Sequence, residues 1–220
     1  EIRTFEGLCK KTIRGKGSVL WLSGQENIGK SRILEQALAM GRSQNLDVIV
    51  SYCDPEDKSP FQPFVKIIDK MVRVAQNLPT TVFEQMIGKS RDILAAHIPS
   101  LRKLNDPNAQ HIMPALNTQN DPKQFFQAVW SFVSRYAMSR PVLIAIDDFH
   151  FADELSILLA EQLAKKMARH QQDKKKSVPL QLGLLFTADV DTESTSRMGP
   201  LLEKISHIHG FQPMPLRPLT

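Results

Sequence analysis

The part of this chain that most constrains its fold is the segment GQENIGKS, residues 24–31. A short apolar run, SVLWLS at residues 18–23, comes directly before it and is typical of a buried strand. Apolar residues at helical spacing come directly after it; they are Ile33, Leu34, Ala37, Leu38 and Gly41. A strand, a glycine-containing turn and an amphipathic helix in this order favour an α/β fold with a parallel sheet.

The same eight residues match GxxxxGK[ST], the P-loop pattern, at every specified position. Glycines let such a backbone curl until successive N–H groups point at a phosphate, and the next helix adds the positive end of its dipole. Lys30 is predicted to bridge the β- and γ-phosphates of a nucleotide, and the Ser31 hydroxyl to bind Mg²⁺. The residues of this region predicted to contact the nucleotide are Gly24, Gln25, Glu26, Asn27, Ile28, Gly29, Lys30, Ser31 and Arg32.

A second apolar run, LIAI at residues 143–146, ends in the carboxylates Asp147 and Asp148. An unbroken apolar run belongs in the middle of a parallel sheet, and we expect it beside the strand of residues 18–23, at the edge where ligands bind. Asp147 is predicted to hold Mg²⁺ through water, and Asp148 to orient and deprotonate the attacking water. Asp148 and Lys30 are therefore the predicted catalytic residues. The alternative is that both carboxylates only cap the strand and solvate the following turn.

Three more apolar runs, at residues 47–53, 180–189 and 208–214, alternate with stretches that have helical periodicity. This alternation predicts an open parallel five-stranded sheet between helices, a three-layer α/β/α fold of the P-loop NTPase class. We expect residues 1–220 to form one domain cut from a larger chain. Residues 97–121, with several prolines and asparagines, predict an irregular insert that either faces a partner or is a variable surface loop.

The composition, 42% hydrophobic and 23% charged, is that of a globular chain, and no apolar run reaches the roughly 18–20 residues of a membrane span. The chain is therefore not expected to associate with a membrane. Two cysteines are too few for a disulfide framework, so a reducing cytoplasm is the expected location. Lys and Arg number 28 against 23 Asp and Glu, a net charge of +5 with three lysines together at 174–176. This mild bias does not favour nucleic acid as a partner, because no aromatic side chains interleave to stack bases.

Residues 17–38 and 141–164 resemble the ATPase domain of the STAND class of AAA+ proteins. These are signal-transduction ATPases of large bacterial regulators, found also beside class III adenylyl cyclase and some Ser/Thr kinase domains. Their second motif has four apolar residues, two Asp, an apolar residue, Gln or His, Trp, Ala and Asp. The residues from 143 to 153 match it, with Phe151 in place of the Trp.

The resemblance implies an AAA+-like fold that binds ATP or ADP with Mg²⁺ and hydrolyses ATP slowly at the γ-phosphate, as a switch in a multidomain signalling protein. It implies as partners the nucleotide, other domains of the same chain and a nucleotide-dependent homo-oligomer. Two alternatives remain open: a nucleotide-binding scaffold that does not hydrolyse ATP, and a DNA-associated AAA+ initiator. The absence of a guanine-reading Asn/Thr-Lys-x-Asp motif disfavours GTP.

The chain also departs from the family pattern. Members commonly begin with Gly-Arg-Glu near the adenine, and this chain starts at Glu1, just past that point. After the fourth strand the family often has an Arg that senses the γ-phosphate, whereas this chain has Thr187, Ala188 and Asp189, so Thr187 is predicted as a polar sensor. His150 is either a general base or a locally packed residue. The four candidate arginine fingers, each otherwise a surface charge, are Arg135, Arg140, Arg169 and Arg197.

Overall fold

A computed structural model describes residues 2–105, 122–173 and 178–217 of the chain. Their strands form one parallel sheet in the order β2-β3-β4-β1-β5. The strands are β1 Ser18–Gly24, β2 Asp47–Tyr52, β3 Val142–Asp147, β4 Leu182–Asp189 and β5 Phe211–Pro215. The three middle strands are the apolar runs with least polar alternation, as expected where both faces of a sheet are covered. The predicted α/β class with a five-stranded parallel sheet is confirmed.

Helices cover both faces of this sheet. They are α1 Ile2–Ile13, α2 Lys30–Ser43, α3 Gln62–Ala75, α4 Thr80–Ile87, α5 Arg91–Ala95, α6 Pro99–Asn105, α7 Pro122–Ser139, α8 Glu154–Gln172 and α9 Thr192–Ser206. Short 3₁₀ turns lie at Gly88–Ser90 and Phe149–Phe151. None of the helices within the described ranges is long and apolar enough to cross a membrane.

Alternate side chains of each strand serve the two layers. Leu20 and Leu22 of β1 pack with α1 and α2 on one face, while Val19 and Trp21 pack with α3, α7, α8 and α9 on the other. Trp21 lies beside Phe186 of β4, with ring centroids 5.9 Å apart. Both faces of β1 are thus buried, and the three-layer α/β/α arrangement follows from this alternation.

Residues 97–121 differ in part from the predicted irregular insert. Residues 99–105 form helix α6, whose Leu101 is fully buried, and α6 packs against α3 and α5. Pro99 does not oppose this helix, because a proline in the first turn loses no backbone hydrogen bond. The rest of the predicted insert, residues 106–121, lies outside the described residues.

The expectation that β3 lies beside β1 is wrong. β4 pairs with β1 on one side and with β3 on the other, so a whole strand separates the two predicted phosphate-site strands. The carboxyl ends of all five strands still lie at one edge of the sheet, because all pairs are parallel. The chain leaves β1 towards β2 on one side of the sheet and leaves β4 towards β5 on the other. In open parallel sheets, ligands bind in the crevice between two neighbouring strands whose connections diverge in this way, here β1 and β4.

Candidate functional site

The loop between β1 and α2 begins at Gly24 and ends at Gly29. A Cβ on Gly24 would lie 2.9 Å from Cγ2 of Ile28, so any larger residue would require Ile28 to shift where the loop folds back on itself. Gly29 precedes α2 with a φ of 100°, and Asn27 has a φ of 60°, both in the left-handed region. Glycine and asparagine are the residues that adopt this region at least cost, so the sequence itself curls the loop.

Lys30, the first residue of α2, has its ammonium group directed back into the loop. Its Nζ donates to the carbonyl oxygens of Gln25 at 2.8 Å and Gly24 at 3.3 Å, and forms an ion pair with the Asp189 carboxylate. The side chain of Lys30 is only 7% exposed. A buried ammonium needs such partners, and here they all lie at the mouth between β1 and β4.

Ser31 and Asp147, the two residues predicted to hold Mg²⁺, lie in contact although 116 residues separate them in the chain. The Ser31 hydroxyl donates to Oδ2 of Asp147 at 3.3 Å. The other carboxylate oxygen, Oδ1, accepts from the Thr187 hydroxyl of β4, and the same hydroxyl accepts from the N–H of Asp148 at 2.9 Å. The hydrogen bond from β4 to Oδ1 therefore fixes the orientation of the Asp147 carboxylate, and Oδ2 faces α2.

Asp148 follows β3 in a left-handed conformation, with a φ of 53°. The next residue, Phe149, fixes this turn: it is fully buried and packs against Phe186, with ring centroids 4.7 Å apart. Burial raises the pKa of the Asp148 carboxyl above its ordinary value, and the neighbouring charge of Asp147 raises it further. A carboxylate with a raised pKa is a stronger proton acceptor, which suits the predicted role in deprotonating water.

Asp189, the last residue of β4, is a part of the site that the sequence analysis did not identify. Its backbone N–H donates to Nδ1 of His150 at 3.3 Å, and its Oδ2 lies 3.6 Å from Nε2 of the same ring. Because Nδ1 accepts a hydrogen bond, this arrangement suits the neutral tautomer with its proton on Nε2, facing the carboxylate. His150 is thus packed and hydrogen-bonded locally, one of the two readings left open by the sequence.

These groups surround a cavity of about 680 Å³ at the carboxyl ends of β1, β3 and β4. Its lining consists of Glu26, Asn27, Gly29, Lys30, Ser31, Arg32, Asp148, His150, Phe151, Asp189, Asp191, Ser194 and Arg197. Arg197 of α9 donates to the carbonyl oxygens of His150, at 3.1 Å, and Ala152, which ties α9 to the turn after β3. The volume is in the range of small-molecule sites.

The structure brings most of the predicted site residues together. From the loop region, Glu26, Asn27, Gly29, Ser31 and Arg32 line the cavity together with Lys30. The other three, Gly24, Gln25 and Ile28, do not line the cavity. The carbonyls of Gly24 and Gln25 accept hydrogen bonds from Lys30, and Ile28 packs closely against Gly24.

Thr187 does not lie where its predicted sensor role requires. The side chain is fully buried, outside the cavity lining, and its hydroxyl is used by Asp147 and the N–H of Asp148. Of the four candidate finger arginines, Arg197 alone lines this cavity. Arg135 instead donates to the carbonyls that end α4, and Arg140 pairs with Asp47 at 3.1 Å.

The pair formed by Ser31 and Asp147 suits Mg²⁺ chemically, because a hydroxyl and a carboxylate are hard oxygen ligands. Mg²⁺ in phosphate sites takes one or two protein ligands and completes its shell with water and phosphate oxygens. No group of three or more His, Cys, Asp or Glu side chains arranged for a metal occurs among the described residues.

The family follows from comparison with known proteins. Residues 1–177, most of the 220, match the model of the AAA ATPase domain, so the chain belongs to this family. No curated protein matches it significantly.

One solved structure of the ORC2 protein of Aeropyrum pernix is similar in fold. Its ADPNP–ADP complexes have a TM-score of 0.53 and 15% identity over 98% of this chain and 46% of that chain. Its ADP form has a TM-score of 0.49 and 14% identity over 97% and 46%. This chain therefore spans about half the length of that protein.

Proposed function

We propose that this chain is the ATP-binding module of a multidomain signalling or regulatory protein of the STAND type, which hydrolyses ATP slowly and uses the nucleotide state as a switch. The observation that carries the proposal is the contact of Ser31 with Asp147 at 3.3 Å beside the buried ammonium of Lys30. These are a hard-oxygen pair and a cation at the end of a glycine-containing loop. Such a combination binds a polyphosphate with its magnesium ion.

The described side chains divide the work as follows. Lys30 and the N–H groups of the loop neutralise the phosphates, and Ser31 and Asp147 would hold Mg²⁺, which on binding spreads the negative charge of the phosphates. Asp148, on the cavity side of the turn after β3, orients a water molecule and accepts its proton. Similarity to a protein solved with ADPNP and ADP supports adenine nucleotides as the ligands.

The first experiment measures the affinity for ATP with and without Mg²⁺ in the wild type and in Lys30→Ala. Loss of a buried charged hydrogen-bond donor costs about 1.5–3 kcal/mol, which is roughly a 10- to 150-fold loss of affinity. Lys103→Ala, an exposed lysine on α6, is the control and should bind as the wild type does. Equal affinity of Lys30→Ala and wild type would refute the assignment of the loop.

Hydrolysis is tested with Asp148→Asn. Asparagine tolerates the left-handed conformation of this position, so the backbone turn should persist while the proton acceptor is lost. General-base catalysis contributes about 10²- to 10⁴-fold, and phosphate release should fall by that order while ATP binding persists. Equal, measurable rates in wild type and Asp148→Asn would refute the role of Asp148, and no phosphate release by the wild type above that of buffer would replace the switch with a scaffold that binds without hydrolysis.

The scaffold is the second candidate, and one observation favours it. Asp189 occupies the region in which the resembled family often has an Arg for the γ-phosphate, and it pairs with Lys30. The other sequence-based alternative, a DNA-associated initiator, stays a prediction; it requires DNA binding that weakens steeply as the salt concentration rises.

A further inference from the structure

The ammonium group of Lys30 has its donors taken by protein oxygens. A lysine ammonium offers three N–H donors. In this structure they face the carbonyl of Gln25 at 2.8 Å, the carbonyl of Gly24 at 3.3 Å and the carboxylate of Asp189. A phosphate oxygen that binds Lys30 must therefore replace one of these acceptors, and of the three only Asp189 carries a full negative charge like the phosphate itself.

Asp189 is held in this position by the sheet and by its neighbours. It stands directly opposite Gly24 in the parallel pairing of β4 with β1, and the next residue, Val190, donates its N–H to the Gly24 carbonyl at 3.2 Å. His150 faces its Oδ2 at 3.6 Å and accepts from its N–H. The carboxylate is 16% exposed, towards the cavity. It therefore stays beside Lys30 when a phosphate displaces it from direct contact.

We propose that Asp189 sets the preference of the site for nucleoside diphosphates over triphosphates, by competing with the terminal phosphate for Lys30. This inference rests on the proposed function, in which Lys30 binds the nucleotide phosphates. A triphosphate needs Lys30 for its γ-phosphate and brings that additional charge next to the Asp189 carboxylate. A diphosphate lacks this group, so the carboxylate opposes it less. Like charges a few ångströms apart in a partly buried site repel strongly.

The test compares ADP with ADPNP, both with excess MgCl₂, by titration calorimetry on wild type and Asp189→Asn. Removing the charge should strengthen ADPNP binding relative to ADP by at least about tenfold, a difference of about 1.4 kcal/mol. Glu203→Gln, the same change of charge at an exposed position of α9, should leave the ratio of the two affinities unchanged. An unchanged ratio in Asp189→Asn, or one that moves towards ADP, would overturn the proposal.

Two further measurements distinguish a failure of this inference from a failure of the proposed function. If Lys30→Ala binds both nucleotides as tightly as wild type does, the proposed function fails; if it loses both while Asp189→Asn keeps the wild-type ratio, only the role of Asp189 fails. Asp189→Ala provides a second removal of the charge if the asparagine variant does not fold, and thermal unfolding of each variant checks this. A purely structural role of Asp189 would lower stability without moving the affinity ratio.

Discussion

Replacing Thr187 with valine removes one hydroxyl from the floor of the site and keeps the branched shape of the side chain. That hydroxyl donates to Oδ1 of Asp147 and accepts from the N–H of Asp148 at 2.9 Å. Thr187 is completely buried, so water cannot replace the lost partner. We expect Thr187→Val to destabilise the fold and also to loosen Asp147, which faces Ser31 with its other oxygen.

The size of the effect follows from these two bonds. A hydrogen bond to a charged group contributes about 1.5–3 kcal/mol to the free energy of unfolding. The N–H of Asp148 keeps a second acceptor, Oδ1 of Asp147 at 3.2 Å, so it is not left unpaired and adds little. A destabilisation of about 1.5–3 kcal/mol in a domain of this length lowers Tm by roughly 3–12 °C.

Thermal and urea unfolding measure the stability, and titration of ATP at several Mg²⁺ concentrations measures the site. Thr12→Val is the matched control, because Thr12 is equally buried but its hydroxyl bonds only to the neutral carbonyl of Leu8, at 2.9 Å. A neutral bond contributes about 0.5–1.5 kcal/mol, so this control should lose less stability and should keep the Mg²⁺ dependence of ATP binding.

The reasoning fails if Thr187→Val is as stable as wild type while its affinity for ATP falls and its affinity for ADP does not. Such a result would mean that the hydroxyl touches the γ-phosphate, as the sequence alone predicted. It would also mean that the bond to Asp147 has little weight in the folded protein.

Two more predictions concern parts of the fold away from the cavity. Tyr136 donates to Asp47 at 2.7 Å, and burial, then that bond, raises the pKa of its phenol above the ordinary value near 10. The unfolded chain therefore releases this proton first, so wild-type stability should fall as the pH rises past about 10, and more steeply than that of Tyr136→Phe in alkaline urea titrations. Gly210 has a φ of 95°, and a Cβ there would lie 2.7 Å from the Gly17 carbonyl oxygen, so Gly210→Ala should lower Tm. Gly7→Ala, in helix α1 with nothing within 4 Å of its Cβ, should raise stability by about 0.5–1 kcal/mol; equal Tm values for the two variants would contradict this reading.

The predictions that succeeded rest on local chemistry. Continuous apolar runs predicted the central strands, because only the middle of a parallel sheet buries both sides of a strand. The pattern of the loop placed Lys30 and Ser31 at the start of a helix, where the structure has them. Ser31 meets Asp147 because Asp147 ends β3 and Ser31 lies in the first turn of the helix that follows β1, and the carboxyl ends of parallel strands share one edge of the sheet whatever the strand order.

One prediction that failed depended on information between distant segments, and another misinterpreted a local signal. Nothing in residues 18–23 or 143–148 states which strand lies between them, since pairing partners are chosen by the packing of the whole sheet. The helix over residues 99–105 was missed because proline was interpreted as a loop signal, although its first-turn position is compatible with a helix.

The strand order also explains why the two most informative side chains of the site were misread or missed. β4 lies between β1 and β3, so the lysine of the loop and the carboxylate of Asp147 do not come from adjacent strands. Side chains two apart on β4 span the gap: Thr187 bonds to Asp147 on one side, and Asp189 pairs with Lys30 on the other. From the sequence, Thr187 was interpreted as a replacement for the arginine that the family often has after β4, and Asp189 was given no role. In the fold, the end of β4 instead connects Asp147 with Lys30. A substitution of Thr187 should therefore change the position of Asp147, and a substitution of Asp189 should change the environment of Lys30.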